Sequence, residues 1–406
     1  MSTAGRLDDY RWLVSEEAAG WLQRAADLRG DPVAQAARLR RDLSAARAHL
    51  VIEQTELRRR ARGKFLRAER MFFTRLGLEQ ATDQFVAAYK ARRFPCGANV
   101  ADLCCGIGGD LLAVAGRGPA SGVDRDPIAA LLAEANVRSS AESEAPPGNV
   151  AIHVRDARES SVDEFAAWHI DPDRRPEGRR TTRPGLYEPA LDVIERLLEA
   201  NGDAAVKLAP AAEIPERWRP DAELEWISRR RQCRQQVAWF GRLATRPGNR
   251  RATVLAAPTE TDHELSVRTV IAKGGEAAPI ASRIGRYVFD PDPAVLAAGL
   301  AAALAAEHDL AALAPGVGYL TGDACPLDPA LAAFEVTDVL PLDLKRLRRI
   351  VTGRGLGRLE IKKRGVPVEP EQLRRRLRLR GPAEATLLVA PVAGQVTAIL
   401  ARRCDP

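Results

Sequence analysis

The sequence predicts an α/β protein in which an open, mainly parallel sheet is preceded by a helical segment and followed by a small α+β domain. Three observations carry that expectation. From Asn99 onward short apolar runs alternate with helical stretches, as βαβ units and a sheet covered on both faces require. Before Pro95 the only proline is Pro32, and Ala, Leu, Arg, Glu and Gln dominate, which favours helix. After about residue 280 come a strand-like run and an Ala-rich stretch, and from Asp343 to Arg380 the composition shifts towards Arg and Lys. A chain of 406 residues exceeds one ordinary core, so three domains are expected, at 1–94, 95–280 and 281–406.

Taken in order, residues from Val14 to about Lys90 read as helix. Leu39, Leu43, Leu50 and Leu57 recur at spacings of four and seven, an apolar stripe on one helical face. The run is short and irregular for a coiled coil, so the stripe is expected to dock on the next domain. A basic run overlaps its end: Arg58, Arg59, Arg60, Arg62, Lys64, Arg67 and Arg70. Strands are then expected at Asn99–Leu103, Ala120–Asp124, Val150–Val154, Trp168–Ile170, Ala204–Leu208, Leu224–Ile227, Gln236–Trp239 and Ala252–Ala256. Helices fit between the early ones, at Asp110–Ala115, Pro127–Val137 and Pro189–Ala200. The late strands crowd together without helices, as an antiparallel end of the sheet would. After the loop Lys273-Gly274-Gly275-Glu276 come a strand at Tyr287–Phe289 and an Ala-rich helix over Val295–Ala314. Further strands are expected at Leu359–Lys362, Ala385–Val389 and Gln395–Leu400. No internal repeat is visible.

A hydrophobic fraction of 46% and a charged fraction of 28% place the chain among soluble globular proteins, not disordered ones. The net charge of +7 favours polyanionic partners. The cysteines, Cys96, Cys104, Cys105, Cys233, Cys325 and Cys404, form no C-x-x-C pair, and the histidines, His49, His153, His169, His263 and His308, form no cluster. No metal is therefore expected. Adjacent Cys104 and Cys105 read as small buried hydrophobes, and His153 and His169 as strand residues. The opening residues, Met1 to Tyr10, lack the apolar run of a signal peptide. The Ala-rich helix carries Glu307, His308 and Asp309, which argues against a membrane span. A cytoplasmic protein without a membrane partner is expected.

The chemistry concentrates after the first strand. Val100-Ala101-Asp102-Leu103-Cys104 runs into Cys105-Gly106-Ile107-Gly108-Gly109-Asp110. Glycines at a strand-to-helix turn let the backbone approach a ligand, and a helix start offers free N–H groups. The turn is shorter than G-x-G-x-x-G, and Asp102 precedes it inside the strand. A carboxylate there repels pyrophosphate but attracts the amino group of a methionine-like ligand. The second strand ends in Gly122-Val123-Asp124, and Asp124 lies 22 residues after Asp102, near the spacing of an acidic residue that binds ribose hydroxyls. Arg125-Asp126-Pro127 opens the next helix. The third strand ends in Arg155-Asp156-Ala157, where a carboxylate can accept from an adenine amino group. The fourth ends in His169-Ile170-Asp171-Pro172. Four acidic residues thus stand at strand carboxyl ends, where open α/β sheets hold ligands.

Asp102 to Asp110, Gly122 to Pro127 and Asp171-Pro172 resemble the successive motifs of class I S-adenosylmethionine-dependent methyltransferases. The nearest flavour is similar to the trimethylguanosine synthase group of RNA guanine-N2 methyltransferases. The layout from about Lys64 resembles bacterial methyltransferases with a C-terminal THUMP-like domain: Phe72-Phe73-Thr74 to Leu78-Glu79-Gln80-Ala81-Thr82 looks like their cofactor-covering segment, and Arg354 to Gly365 like their basic module. The resemblance implies a Rossmann-like, seven-stranded sheet and S-adenosylmethionine as cofactor. It implies cofactor contacts from Asp102, Cys104, Gly106, Gly108, Gly109, Asp124, Arg125, Asp156, Ala157 and Thr82, with Asp171 and Pro172 at the reaction centre. The family's Asp-Pro-Pro-aromatic pattern departs here to Asp171-Pro172-Asp173-Arg174-Arg175; a stacking ring would have to come from elsewhere, Tyr187 and Trp168 being candidates. Arg174 and Arg175 either bind a substrate phosphate or solvate a loop. Lys207, at the fifth strand's end, is either a site residue or simply exposed.

Because S-adenosylmethionine is already activated by its sulfonium, such an enzyme mainly aligns the acceptor and strips water; Asp171 orients an amine or takes its proton. The C-terminal segment from Lys345 to Arg380 is dense in Arg and Lys and poor in aromatics, which suits phosphate contacts over base stacking. Arg354, Arg358, Lys362, Lys363 and Arg364 are the expected RNA contacts, and structured RNA such as tRNA or rRNA the expected partner. Two other readings stay open: a small-metabolite methyltransferase, and a non-catalytic RNA-binding protein on a degenerate methyltransferase fold.

Overall fold

A computed structural model describes residues 3–28, 31–141, 149–175, 181–256 and 265–404; His263 and the first two residues lie outside that set. The chain forms two compact units, residues 1–223 with 236–247, and residues 224–235 with 248–406.

The first unit opens with helices, not one long run. They span Thr3–Leu13, Glu16–Asp27, Pro32–Leu39 and Ala45–Ala61, then Arg75–Gln80 and Gln84–Ala91. Short polar side chains set the breaks by accepting the N–H groups that a helix start leaves unpaired. Asp31 takes the amides of Val33 and Ala34, Ser44 that of Arg47, Thr74 that of Gly77 and Asp83 that of Phe85. The leucine stripe docks as expected. Leu39 and Leu57 are buried, and Leu43 and Leu50 half-buried, in a core shared with Ile107, Ile128 and Leu132. Full burial of one such leucine contributes about 1.5–3 kcal/mol, so this stripe fixes the helices onto the residues that follow the first strand.

Strand β1 (Val100–Leu103) sits between β2 (Ala120–Asp124) and β4 (Ala167–Ile170), and β3 (Val150–Val154) lies outside β2. β5 (Ala204–Leu208) extends the sheet beyond β4; these five strands are parallel. After β6 (Glu223–Arg229), strand β7 (Gln232–Trp239) returns antiparallel against β5. In register, Asp102 lies opposite Gly122 on one side and His169 on the other. That alignment brings the carboxyl ends of β1, β2 and β4 to one edge. The intervening helices form at Leu111–Ala115, Pro127–Ala141 and Leu191–Ala200.

In the second unit β6 runs parallel to β8 (Arg250–Ala256), and β9 (Ser266–Ala272) is antiparallel to β8. All eight strands expected over this part of the chain are present. β9 is additional, and the β6–β8 pairing is parallel where an antiparallel end was expected.

Seven strands make the second unit's other sheet. They are β10 (Tyr287–Pro291), β11 (Ala311–Ala312), β12 (Leu320–Gly322), β13 (Leu331–Pro341), β14 (Leu356–Lys363), β15 (Ala383–Val392) and β16 (Gln395–Cys404), in the order β11-β12-β10-β13-β16-β15-β14. Only β14 and β15 pair in parallel. Helices Leu344–Gly353 and Pro370–Leu377 bury Leu347, Val351, Leu373 and Leu377 with Leu387 and Val389 of β15. The Ala-rich segment is not one helix: it breaks at Gly299 (φ +68°) into Pro293–Ala297 and Ala301–Glu307. Among the described residues no helix is long and apolar enough to cross a membrane.

This sheet carries a buried charge cluster. Asp290 on β10 accepts from Lys362 Nζ at 3.0 Å and from Arg364 at 2.7 Å, and its side chain is 6% exposed. Burial pushes its carboxyl up, but the two cations overcome that and hold it below the usual carboxylate range. A depressed carboxylate contributes stability above its unfolded value of about 3.9, lost as pH falls towards the folded value. Asp290→Ala is therefore expected to cost about 2–4 kcal/mol at neutral pH, and less at about pH 3, below the unfolded value. Urea unfolding of both proteins at the two pH values checks this; an equal penalty at both would rule out the charge interaction as its source.

Candidate active site

The carboxyl ends of β1 to β5 and the helix Arg75–Gln80 enclose a cavity of about 550 Å³. Its lining includes Thr82, Asp102, Cys104, Gly106, Gly109, Asp124, Arg125, Asp156, Ala157, Asp171 and Pro172. Eleven of the twelve expected cofactor and reaction-centre positions thus meet in one place, and Gly108 alone stands back from the wall. Gly108 has φ +88° and donates its amide to Cys105 O at 2.9 Å, closing the turn.

The turn is built by backbone geometry. Cys104 takes φ +56° although it is not glycine, an uncommon conformation for a side-chain-bearing residue. Gly106 also has φ +56°, and a Cβ added there would meet nothing within 4 Å, so only hydrogen keeps that space open for a ligand. Gly109 works differently: a Cβ there would stand 3.1 Å from Thr82 N, so its bareness lets the segment at Ala81–Thr82 close on the turn. Lys64 secures that segment, donating to the carbonyls of Leu78, Glu79 and Ala81 at 2.7, 3.1 and 2.8 Å.

Asp124 is held by two backbone amides, from Gly106 at 2.8 Å and Asp126 at 2.9 Å. Each oxygen retains acceptor capacity. Burial pushes its carboxyl up, against those hydrogen bonds. Asp156 accepts from the backbone of Arg158 at 2.9 Å and pairs with its guanidinium at 2.7 Å. Arg125 bridges to Glu188 at 2.7 Å.

Behind the wall lies a polar network that the sequence did not disclose. His169 Nδ1 and Asp102 Oδ1 are 2.6 Å apart, both side chains 1% exposed. Lys90 Nζ lies 2.7 Å from Asp110 Oδ1 and 3.3 Å from His169 Nε2. Thr82 Oγ1 donates to Asp110 Oδ2 at 2.5 Å and accepts from Lys207 Nζ at 2.8 Å. Lys207 Nζ also bonds Asp171 Oδ2. Burial raises Asp110's carboxyl, yet Lys90, His169 and Lys207 together hold it below the usual carboxylate range. Asp102 goes the other way: burial pushes it up, against His169. Its Oδ2 is buried without a partner among the described residues.

Lys207 is therefore neither exposed nor at a loose strand end; it is 4% exposed and reaches Asp171. Neither candidate ring reaches the cavity. Trp168 is fully buried with Nε1 on Asn201 O at 2.8 Å, and Tyr187 is 3% exposed with its hydroxyl accepting from Ala209 N at 3.2 Å. No aromatic side chain lines the cavity among the described residues. Of the two arginines after Asp171, Arg175 pairs with Glu79 at 2.9 Å, whereas Arg174 lines the cavity unpaired among the described residues.

The site meets a chemical test for an aminoacyl sulfonium nucleoside. Asp102 offers an unpaired buried oxygen for an amine, Gly106 an open backbone, and Asp124 an oriented carboxylate for vicinal hydroxyls. Two S-adenosylmethionine-dependent methyltransferases of Mycobacterium tuberculosis, named as uncharacterized and from strains CDC 1551 and H37Rv, are each 34% identical over 371 residues, 89% of this chain and 98% of the relative. The chain belongs to the S-adenosylmethionine-dependent methyltransferases. The THUMP domain-like family model matches residues 331–403 of this methyltransferase. A solved structure from Porphyromonas gingivalis W83, provisionally called a methyltransferase, covers 100% of both chains at 21% identity with a TM-score of 0.78. That likeness carries the α/β methyltransferase fold over the whole length. The methyltransferase's five expected RNA contacts lie in the second unit, most of them engaged. Lys362 and Arg364 hold Asp290, Lys363 pairs with Glu369 at 3.2 Å, and Arg354 with Asp338 at 2.7 Å. Arg358 is exposed and unpaired among the described residues.

Proposed function

We propose that this methyltransferase modifies a base amine or ring nitrogen of structured RNA, tRNA or rRNA, in the cytoplasm. The resemblance to the trimethylguanosine synthase group makes the guanine exocyclic amine the first candidate acceptor. The observation that carries the reading is Asp171, fixed through Oδ2 by Lys207 on the wall shared with the cofactor residues. Its Oδ1 is left to accept a hydrogen bond from an acceptor N–H, and Pro172 stiffens the backbone beside it. S-adenosylmethionine, when bound, supplies the activated methyl group; Asp102, Gly106, Asp124 and Asp156 would hold it, and Asp171 would orient the acceptor. Arg174, close to Asp171 in sequence and without an ion pair among the described residues, suits a phosphate next to the target base. The THUMP domain-like match and the net charge of +7 support RNA over a metabolite.

The metabolite reading has one observation in its favour, the lack of a stacking ring in the cavity. The deciding experiment incubates the protein with methyl-labelled S-adenosylmethionine and fractionated RNA, then digests the RNA to nucleosides. Label in a single modified nucleoside is expected; label only in small molecules would favour the metabolite.

For the cofactor, Asp124→Ala should remove charge-assisted hydrogen bonds worth roughly 1.5–3 kcal/mol each. Calorimetric titration should show at least about tenfold weaker S-adenosylmethionine binding. Because burial raises this carboxyl, wild-type affinity should also fall on acidification at a higher pH than an ordinary aspartate would dictate. Unchanged affinity in the folded variant would remove Asp124 from the site.

A further inference from the structure

We propose that the cleft among the N-terminal helices is a binding groove for the sugar-phosphate backbone of the substrate RNA, an inference that rests on the RNA reading above. The cleft is large, about 1190 Å³, and its walls come from the helices Glu16–Asp27, Pro32–Leu39 and Ala45–Ala61 and from residues 69–75. Seven arginines and three glutamates line it, so it is cationic on balance. Two arginines are neutralised locally, Arg59 by Glu56 and Arg75 by Glu53. Arg40, Arg60 and Arg62 are exposed and have no ion pair among the described residues. Three uncommitted cations on one concave surface are what a polyanion needs.

The lining also says which part of a nucleic acid fits. Its one phenyl ring among the described residues, Phe72, lies under the Arg58 guanidinium at 4.9 Å, and the only other ring there is the His49 imidazole. Arg58 Nε donates to Met71 O at 2.9 Å, and burial pulls its guanidinium down to about 10, still positive at neutral pH. With seven arginines against the single exposed ring of His49, the groove offers far more charge than stacking surface, which suits phosphates over bases. Its position joins it to the chemistry. Arg75 lines the groove, while Thr74, Leu76 and Gly77 line the cofactor cavity. A strand lying in the groove is delivered to the cavity across the start of the helix Arg75–Gln80. The basic run ending at Arg70 finds its use here.

The test compares two triple charge reversals in the full chain by filter binding of unfractionated tRNA across a salt series. One is Arg40→Glu, Arg60→Glu and Arg62→Glu. The control is Arg92→Glu, Arg138→Glu and Arg246→Glu, three exposed arginines outside the groove. The groove variant should bind at least tenfold more weakly, with a log–log salt slope shallower by roughly two to three, and S-adenosylmethionine titration should be unchanged. The control should lose less than threefold. Equal losses in both variants, or wild-type affinity and slope in the groove variant, would overturn the groove alone. A wild-type protein that binds S-adenosylmethionine but no tRNA, or that binds phosphatidylserine vesicles through these arginines instead, would overturn it together with the RNA reading.

Discussion

Asp171→Ala should slow methyl transfer about 10²- to 10³-fold at saturating S-adenosylmethionine, while cofactor affinity stays within about threefold. The magnitude is that of removing a positioned acid–base group. The separation of the two effects follows from where Asp171 stands. It touches Lys207 on one oxygen, whereas the residues suited to the cofactor, Asp102, Gly106 and Asp124, belong to β1, β2 and the turn between them. Asp171→Asn sharpens the test, since it keeps the shape and an oxygen for Lys207 but loses the charge. Single-turnover transfer of labelled methyl to the acceptor that the labelling experiment yields is the measurement. Normal turnover combined with collapsed cofactor affinity would show that Asp171 belongs to the cofactor instead.

Asp110→Ala should lower stability by about 3–5 kcal/mol, because it strips the counter-charge from Lys90, which is 2% exposed, and from the neighbourhood of Lys207. For a unit of this size that is roughly 6–20 °C in Tm. Lys90 and Lys207 come from different elements and both face this one carboxylate, so neither can swing to water when it is lost. The pH dependence has a definite sign. Asp110 is held below the usual carboxylate range, so its contribution is complete above its unfolded value of about 3.9 and disappears as pH falls towards its folded value. Thermal scans at neutral pH and near pH 3 should show the wild-type advantage shrinking in acid. A loss under about 1 kcal/mol at neutral pH would mean that the buried ammonium groups are not charged as the contacts imply.

Local pattern was enough for the parallel strands and for the acidic residues at their ends, because each sits next to a turn whose residue types report its geometry. The same logic missed β9 and β13. In β9 only Val270 is buried, and β13 carries Glu335, Thr337 and Asp338, so neither shows a clean apolar run. The breaks within the expected long helix were missed because Ser44, Thr74 and Asp83 are polar residues in a polar-rich stretch, and their capping role depends on which amide they meet. The buried network was illegible for a different reason. Lys90, Asp110, His169 and Lys207 come from four separate parts of the chain, and no spacing in sequence encodes their meeting. One sign was present: Lys207 interrupts the otherwise apolar Ala204-Ala205-Val206-Lys207-Leu208, and a lysine inside a five-residue buried strand needs a carboxylate. Composition, in turn, does not show that in the second unit Lys362 and Arg364 direct their charge at Asp290, a partner more than seventy residues away.

Lys64, Thr82 and Lys90 all precede the first strand, yet they close the turn, bridge Asp110 to Lys207 and neutralise Asp110 from outside the sheet. Cooperativity therefore runs across the change of composition near residue 94. A fragment beginning at Pro95 would retain every glycine and aspartate of the recognisable motifs and still leave Asp110 without Lys90. The catalytic module of this chain cannot be excised at its sequence motif; its modular boundary lies upstream, within the helices.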